Sequence, residues 1–126
     1  MTRYLLDTHI AYWWMTKSAR LSKPTASLIS KESRSIRMAS LWEMQLKNAA
    51  GKLALPPNSL SIEFASEGFP IMPITATHID RAREMGGLKG DPFNLILVAV
   101  ADIEKMMLFT KQNRLLSFGI RHIKEA

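Results

Sequence analysis

The stretch DPFNLILVAVADIEKMMLFT, residues 91–110, decides the fold of this chain. Residues 91–105 are so apolar that they predict a long helix buried on most of its sides. Residues 106–110 follow directly and predict a buried strand. A buried helix that leads into a buried strand is typical of a parallel sheet, whose faces are covered by the connecting helices.

The same alternation of strands and helices extends over the rest of the chain. The remaining strand patterns are RYLLD (3–7), SIRMA (35–39), FPIMPI (69–74) and IRHI (120–123). Helical patterns lie between them, including one that begins at Ser22, one that stops at Gly51 and one capped by Thr75. We therefore predict an α/β fold with three layers, α/β/α, around a central parallel sheet of about five strands, in a single domain spanning residues 1–126.

The composition favours a cytoplasmic protein with a polyanionic partner. The net charge is +6, and the chain has no cysteine, which excludes disulfides and zinc–thiolate sites. No apolar run approaches the ~18–20 residues that a membrane helix needs. The first residues reach Asp7 too soon for a signal peptide.

Three acids lie at predicted strand-to-helix junctions, and each has a structural interpretation. Asp7 follows the first strand and suits a helix N-cap or an Asx turn. Ser40 and Glu43 have the spacing of a capping box, in which Glu43 would bond the Ser40 N–H. Asp91 precedes Pro92, a common way to begin a helix. Taken singly, each acid is more typical of a cap than of a catalyst.

Taken together, the same three acids predict a metal site. In an open parallel sheet, the carboxyl ends of the strands lie on one edge, where ligands bind. Asp7, Glu43 and Asp91 would converge there and repel one another, and a divalent cation would remove that repulsion. Oxygen ligands without cysteine suit Mg²⁺ or Mn²⁺, and such a cation can activate water against a phosphodiester.

Three segments, in this order and spacing, resemble the PIN domain and, more narrowly, the VapC toxins of type II toxin–antitoxin pairs. They are RYLLDTHIAYWWM, ASLWEMQLKNAAGKLALP and GDPFNLILVAVA, and the resemblance runs from about residue 3 to about residue 123. It implies a metal-dependent endoribonuclease in which Asp7, Glu43 and Asp91 hold Mg²⁺ or Mn²⁺ around a water that attacks RNA. It also implies a homodimer and a VapB-like antitoxin that covers the acidic pocket.

Two positions depart from the family pattern. Asn94 stands where the family has a second acid in "DPFD", and Gln112 stands where an acid often follows the fourth strand. Both amides can still accept a hydrogen bond, and as groups around the ligands they predict metal affinity or activity about 10–100-fold lower. Thr8, Thr110 and Lys47 are further candidates for orienting carboxylates or contacting substrate. For Lys47 an ion pair with Glu43, four residues earlier, is equally in keeping with the spacing.

Two other functions remain open from the sequence. With two acids replaced, the domain could be a degenerate PIN fold that only binds RNA or an antitoxin. Alternatively, Asp7 could accept a phosphoryl group as in a receiver domain, although the chain has no phosphate-binding loop to support that function. Trp13 and Trp14 are adjacent on a helix, so we expect one in the core and the other on a partner surface.

Overall fold

Five parallel strands form the central sheet of this protein. The computed structural model describes residues 3–31, 33–85, 92–116 and 123–126. Within these ranges the sheet order is β3-β2-β1-β4-β5, and every neighbouring pair is parallel. The strands are β1 (Arg3–Leu6), β2 (Ser33–Arg37), β3 (Ile71–Met72), β4 (Met107–Thr110) and β5 (Ile123–Glu125). The predicted parallel sheet of five strands is confirmed.

Helices cover both faces of this sheet. In the described ranges they are α1 (Thr8–Met15), α2 (Lys23–Lys31), α3 (Met38–Ala49), α4 (Leu60–Ser66), α5 (Ala76–Met85), α6 (Pro92–Glu104) and α7 (Asn113–Leu116). Leu6, Ile36 and Phe109 pack in one buried cluster with residues of α1 to α4. Leu5 and Leu108 point the other way and pack in a second cluster with α6. The predicted three layers are therefore confirmed. No helix in the described ranges is long and apolar enough to cross a membrane.

Most helix signals read from the sequence are confirmed. The backbone N–H of Thr25 donates to Ser22 Oγ at 3.3 Å, which makes Ser22 the N-cap of α2. The N–H of His78 donates to Thr75 Oγ1 at 3.3 Å at the start of α5. Helix α6 is buried along Leu97–Ala101, as its apolar pattern predicts.

The strand boundaries differ from the sequence prediction in two places. β2 spans Ser33–Arg37 and not 35–39, because the chain turns into α3 at Met38. β3 keeps only Ile71 and Met72, since the flanking prolines cannot donate to a ladder. Residues 120–122 of the predicted last strand lie outside the described residues, whereas Ile123 opens β5.

The strand order creates a switch point between β1 and β4. β2, the next strand along the chain, pairs with one side of β1, and β4 pairs with the other side. Since β1 and β4 are parallel, their carboxyl ends lie side by side. The N–H of Asp7 donates to the Phe109 carbonyl at 3.0 Å, which extends this pairing one residue past β1. In open α/β sheets, ligands bind in the crevice at such a switch point.

Gly51 ends α3 as the sequence predicts, through a Schellman motif. The N–H of Lys52 donates to the Lys47 carbonyl at 2.8 Å, and the N–H of Gly51 donates to the Asn48 carbonyl at 2.9 Å. Gly51 has a φ of +76°, a left-handed conformation that side chains disfavour. The motif brings Lys52 back beside the last turn of α3.

We expect Gly51→Ala to lower the free energy of unfolding by about 1–2 kcal/mol, the cost of a left-handed alanine. A Cβ at Gly51 would meet no atom within 4 Å, so the loss comes from the backbone conformation and not from a clash. Urea unfolding measures it. Gly51→Asn is the matched control and should lose less, since Asn tolerates this conformation. Equal stability of wild type and Gly51→Ala would contradict the assigned conformation.

Candidate active site

Asp7 is a buried carboxylate at the carboxyl end of β1. It occupies the N-cap position of α1, but its side chain makes no capping bond. Instead, Asp7 Oδ2 accepts hydrogen bonds from Thr110 Oγ1 at 2.7 Å and from Gln112 Nε2 at 2.5 Å. Asp7 is only 2 % exposed. The side-chain N-cap interpretation of Asp7 is therefore wrong: its carboxylate is held by the end of β4 across the switch point.

Glu43 lies inside α3 and does not form the predicted capping box. Helix α3 begins two residues before Ser40, with Arg37 at the N-cap position and no side-chain cap. Ser40 therefore lies within the first helical turn, where Ser40 Oγ is 2.9 Å from Thr8 Oγ1. The same Thr8 hydroxyl donates to Glu43 Oε1 at 2.7 Å. Thr8 directly follows Asp7, so this hydrogen bond ties Glu43 to the residue next to Asp7.

Two cations flank the Glu43 carboxylate. Lys47 Nζ is 3.0 Å from Glu43 Oε2, the i,i+4 ion pair that the sequence predicts. Arg37 Nη2 is 3.5 Å from Glu43 Oε1, and the Arg37 side chain has no solvent exposure. Arg37 was not predicted from the sequence, because an arginine in a strand pattern is ordinarily a solvated residue. The predicted strand over residues 35–39 placed Arg37 at its middle, so no sequence signal indicated that Arg37 would lie at the edge that carries Asp7.

Asn94 and Gln112, the two amides that stand in place of acids, bond to each other. Asn94 Nδ2 donates to Gln112 Oε1 at 3.1 Å, and Gln112 Nε2 is 3.3 Å from Asn94 Oδ1. The N–H of Gln112 donates to Thr110 Oγ1 at 3.0 Å. Asn94 is 5 % exposed and Thr110 is fully buried. This bonding orients the Gln112 amide so that its nitrogen faces Asp7.

The structure therefore brings most of the predicted site residues into a network of two parts, which meet at the consecutive residues Asp7 and Thr8. Hydrogen bonds and ion pairs connect Asp7 with Thr110, Gln112 and Asn94, and Thr8 with Glu43 and Lys47. Asp91, the third predicted acid, lies outside the described residues. The part of the network that is described holds two carboxylates, of Asp7 and Glu43, and two cations, of Arg37 and Lys47.

This charge pattern bears on whether the site suits a divalent metal. Mg²⁺ and Mn²⁺ prefer oxygen ligands with excess negative charge. Asp7 fits: the two hydrogen bonds that its side chain makes with described residues both fall on Oδ2, which leaves Oδ1 for a cation as far as these residues are concerned. Glu43 fits only if a metal displaces its bonds to Arg37 and Lys47. In the described part of the chain, no three acids, histidines or cysteines cluster as metal ligands, so a complete donor set would need Asp91.

Solved structures of toxin–antitoxin complexes have the same fold. A chain of a Klebsiella pneumoniae toxin–antitoxin complex matches with a TM-score of 0.69 at 18 % identity, covering 96 % of this chain and 95 % of that one. Chains of VapBC2 from Rickettsia felis and of DNA-bound VapBC from Salmonella typhimurium match with TM-scores of 0.67 and 0.68 at 16 % identity. The two matches cover 99 % of this chain, and 99 % and 98 % of theirs respectively. This chain has a VapC-type PIN fold.

The likeness lies in the fold and extends along nearly the whole chain. No protein-family model matches this sequence, and no curated protein matches it either. The PIN fold expected from the three sequence segments is confirmed by structural similarity, and the roles of individual residues in the site are a separate question. That question depends on the electrostatics of Asp7 and Glu43.

We expect Glu43→Gln to lower the free energy of unfolding by about 3 kcal/mol, because it leaves Arg37 and Lys47 beside a neutral amide. Glutamine keeps the shape of the side chain and can still accept the Thr8 hydrogen bond. Chemical denaturation in EDTA measures the change. Glu67→Gln, on an exposed acid just after α4, is the matched control and should change stability by less than about 0.5 kcal/mol.

The sign of the Glu43→Gln effect distinguishes two descriptions of the site. If acids repel one another around Glu43, neutralising it should stabilise the protein. If the two cations offset its charge, neutralising it should destabilise the protein. A stabilised Glu43→Gln variant would contradict the ion pairs described above.

Proposed function

We propose that this chain, as a single PIN domain over residues 1–126, is a metal-dependent endoribonuclease toxin of the cytoplasm that uses Mg²⁺ or Mn²⁺ and is neutralised by a VapB-like antitoxin. One observation carries the proposal: the Asp7 carboxylate is buried at the switch point and is oriented by Thr110 and Gln112, not used as a helix cap. The structural likeness to toxin–antitoxin complexes supports it.

The roles we propose follow from these contacts. Asp7 and Asp91 are direct metal ligands, and Glu43 is a third ligand or orients the attacking water. When bound, the cation supplies a water of lowered pKa and charge stabilisation for the phosphodiester. Thr110 and Gln112 hold Asp7 in place, while Thr8 holds Glu43. Lys47, already beside Glu43, is suited to contact an RNA phosphate.

The surface offers sites for the proposed antitoxin and for a second subunit. A cleft of about 520 Å³ is lined by Trp13, Trp14 and Met15 of α1 and by residues of α2 and α4. Charged side chains of Lys17, Lys23, Glu63 and Glu67 also line it. We name it the tryptophan cleft and assign it to the antitoxin. Met38, Trp42 and Leu46 are exposed at i, i+4 and i+8 on one side of α3, which gives a homodimer an apolar helix face.

We expect the purified chain to cleave RNA in the presence of Mn²⁺ and to lose this activity in EDTA. Asp7→Asn should lower the cleavage rate by about 100-fold or more, since a ligand to a metal that supplies several kcal/mol is neutralised. Gel assays on structured and single-stranded RNAs measure the rate. The control is Asp80→Asn on α5, an exposed acid outside the site, which should cleave at the wild-type rate.

Cleavage that persists in EDTA, or equal cleavage rates for wild type and Asp7→Asn, would contradict the proposal that this chain is a metal-dependent ribonuclease. A contaminating nuclease is recognised by the same comparison, because its activity would survive Asp7→Asn.

A second candidate function is a degenerate PIN domain that binds RNA or an antitoxin without cutting. The specific observation in its favour is the fully buried Arg37 beside Glu43, which places a fixed positive charge where a metal would need negative charge. RNA binding without Mn²⁺-dependent cleavage would favour this function. Sustained EDTA-sensitive cleavage would exclude it.

We expect Asn94→Asp to tighten Mn²⁺ binding by about tenfold. The new carboxylate would add a negative charge beside Gln112, the residue that bonds the proposed metal ligand Asp7. Isothermal titration calorimetry of the purified chain measures the affinity without reference to activity. Gln45→Glu adds the same charge on an exposed face of α3 and serves as the control. Unchanged or weaker Mn²⁺ binding in Asn94→Asp would show that Asn94 does not face the metal.

A further inference from the structure

A second cleft lies against the site and differs in charge from the tryptophan cleft. It has a volume of about 530 Å³, within the range of ligand sites. Its wall carries the cations Arg20, Lys47 and Lys52 and the rings of His9, Tyr12 and Trp13. We name it the basic cleft. No acid is among the described residues that line it, whereas Glu63 and Glu67 line the tryptophan cleft.

The positive charge of the basic cleft is largely available to a ligand. Arg20 and Lys52 are exposed, and neither forms an ion pair with an acid in the described part of the chain. Lys47 shares its charge with Glu43. The Schellman motif at the end of α3 keeps Lys52 close to Lys47. An anionic ligand in this cleft would therefore meet at least two uncompensated cations.

The rings in the basic cleft are held in place by contacts of their own. The ring centroids of His9 and Trp13 are 5.8 Å apart. The Tyr12 hydroxyl donates to the Ala54 carbonyl at 2.7 Å. Lys111 Nζ lies 6.0 Å from the Trp13 ring and donates to the Arg20 carbonyl at 2.9 Å. Fixed aromatic faces beside cations are the features by which proteins bind single-stranded nucleic acids, through base stacking and phosphate attraction.

Lys47 connects the basic cleft to the site. Its Nζ is 3.0 Å from Glu43 Oε2 and 3.3 Å from His9 Nε2. A chain lying in the basic cleft would thus enter the site past Lys47.

We propose that the basic cleft binds the single-stranded RNA segment next to the scissile phosphate, with Arg20 and Lys52 on its phosphates and Trp13 available to a base. This inference rests on the proposed ribonuclease function and adds to it the path of the substrate. It predicts that RNA affinity and metal-dependent cleavage are separable, because the cations of the cleft are distinct from the acids of the site.

The test measures binding of a short fluorescein-labelled oligouridylate by anisotropy in EDTA, where the proposed metal-dependent cleavage is absent. The double variant Arg20→Ala/Lys52→Ala should bind about tenfold more weakly at low salt. Its plot of log affinity against log salt should be shallower by about 0.7 for each RNA phosphate that the variant no longer neutralises. Lys31→Ala/Arg83→Ala removes the same charge from exposed positions of α2 and α5 that line neither cleft, and it should bind like wild type. Circular dichroism checks that every variant folds.

Equal affinities for the two double variants would overturn the proposal, since charge alone and not the cleft would then explain binding. Competition by polyglutamate as strong as that by unlabelled RNA would also overturn it and would assign the cleft to an acidic peptide.

Mn²⁺-dependent cleavage is measured in parallel. If wild type cuts RNA but the cleft variants bind normally, this inference fails and the proposed function stands. If binding falls as expected but wild type does not cut, the cleft stands and the enzyme proposal fails.

Discussion

The pairing of β1 with both β2 and β4 is the constraint on which the rest of the structure depends. β1 is the middle strand of the sheet, and its residues alternate between two buried clusters, with Leu5 on one face and Leu6 on the other. A shift of one residue would exchange these faces, so the register is strongly specified. The same register brings the chain just beyond β1 beside the ends of β2 and β4, where Asp7 meets Thr110 and α3 begins. The site is thus a consequence of core packing.

Within this frame the two described acids have different electrostatic surroundings. Asp7 is held by neutral donors, a hydroxyl and an amide, so its negative charge is stabilised but not cancelled. Glu43 lies between Lys47 and the buried Arg37, so its charge is largely offset. A buried ion pair contributes little net stability, but removing one partner is costly. The cations that face Glu43 therefore belong to the protein itself, whereas the side chains that bond Asp7 are neutral and leave room for an external cation.

The fold and much of the network could be predicted from the sequence, because periodicity and helix signals are local. The long apolar pattern of α6 and the stop at Gly51 identified their elements directly. The capping-box interpretation of Ser40 and Glu43 failed because spacing alone does not show whether the N-cap is Arg37 or Ser40, and a shift of three residues changes what Glu43 can reach. Arg37 was missed for a similar reason: its burial depends on contacts between distant segments, which no local pattern encodes. The mutual bonding of Asn94 and Gln112, 18 residues apart, has the same origin.

The replacement of acids by amides and the buried arginine point in the same direction. Compared with the acids that the family resemblance predicts at these positions, Asn94 and Gln112 place less negative charge around Asp7, and Arg37 offsets the charge of Glu43. Both changes lower the attraction of the site for a divalent cation, while the surface next to it stays basic through Arg20 and Lys52. The electrostatic attraction between basic side chains and RNA weakens as the salt concentration rises, but it does not depend on a bound metal. Under the proposed ribonuclease function, a chain with this distribution of charge should hold RNA first and bind a metal more weakly, so that metal availability and not RNA binding would limit its activity.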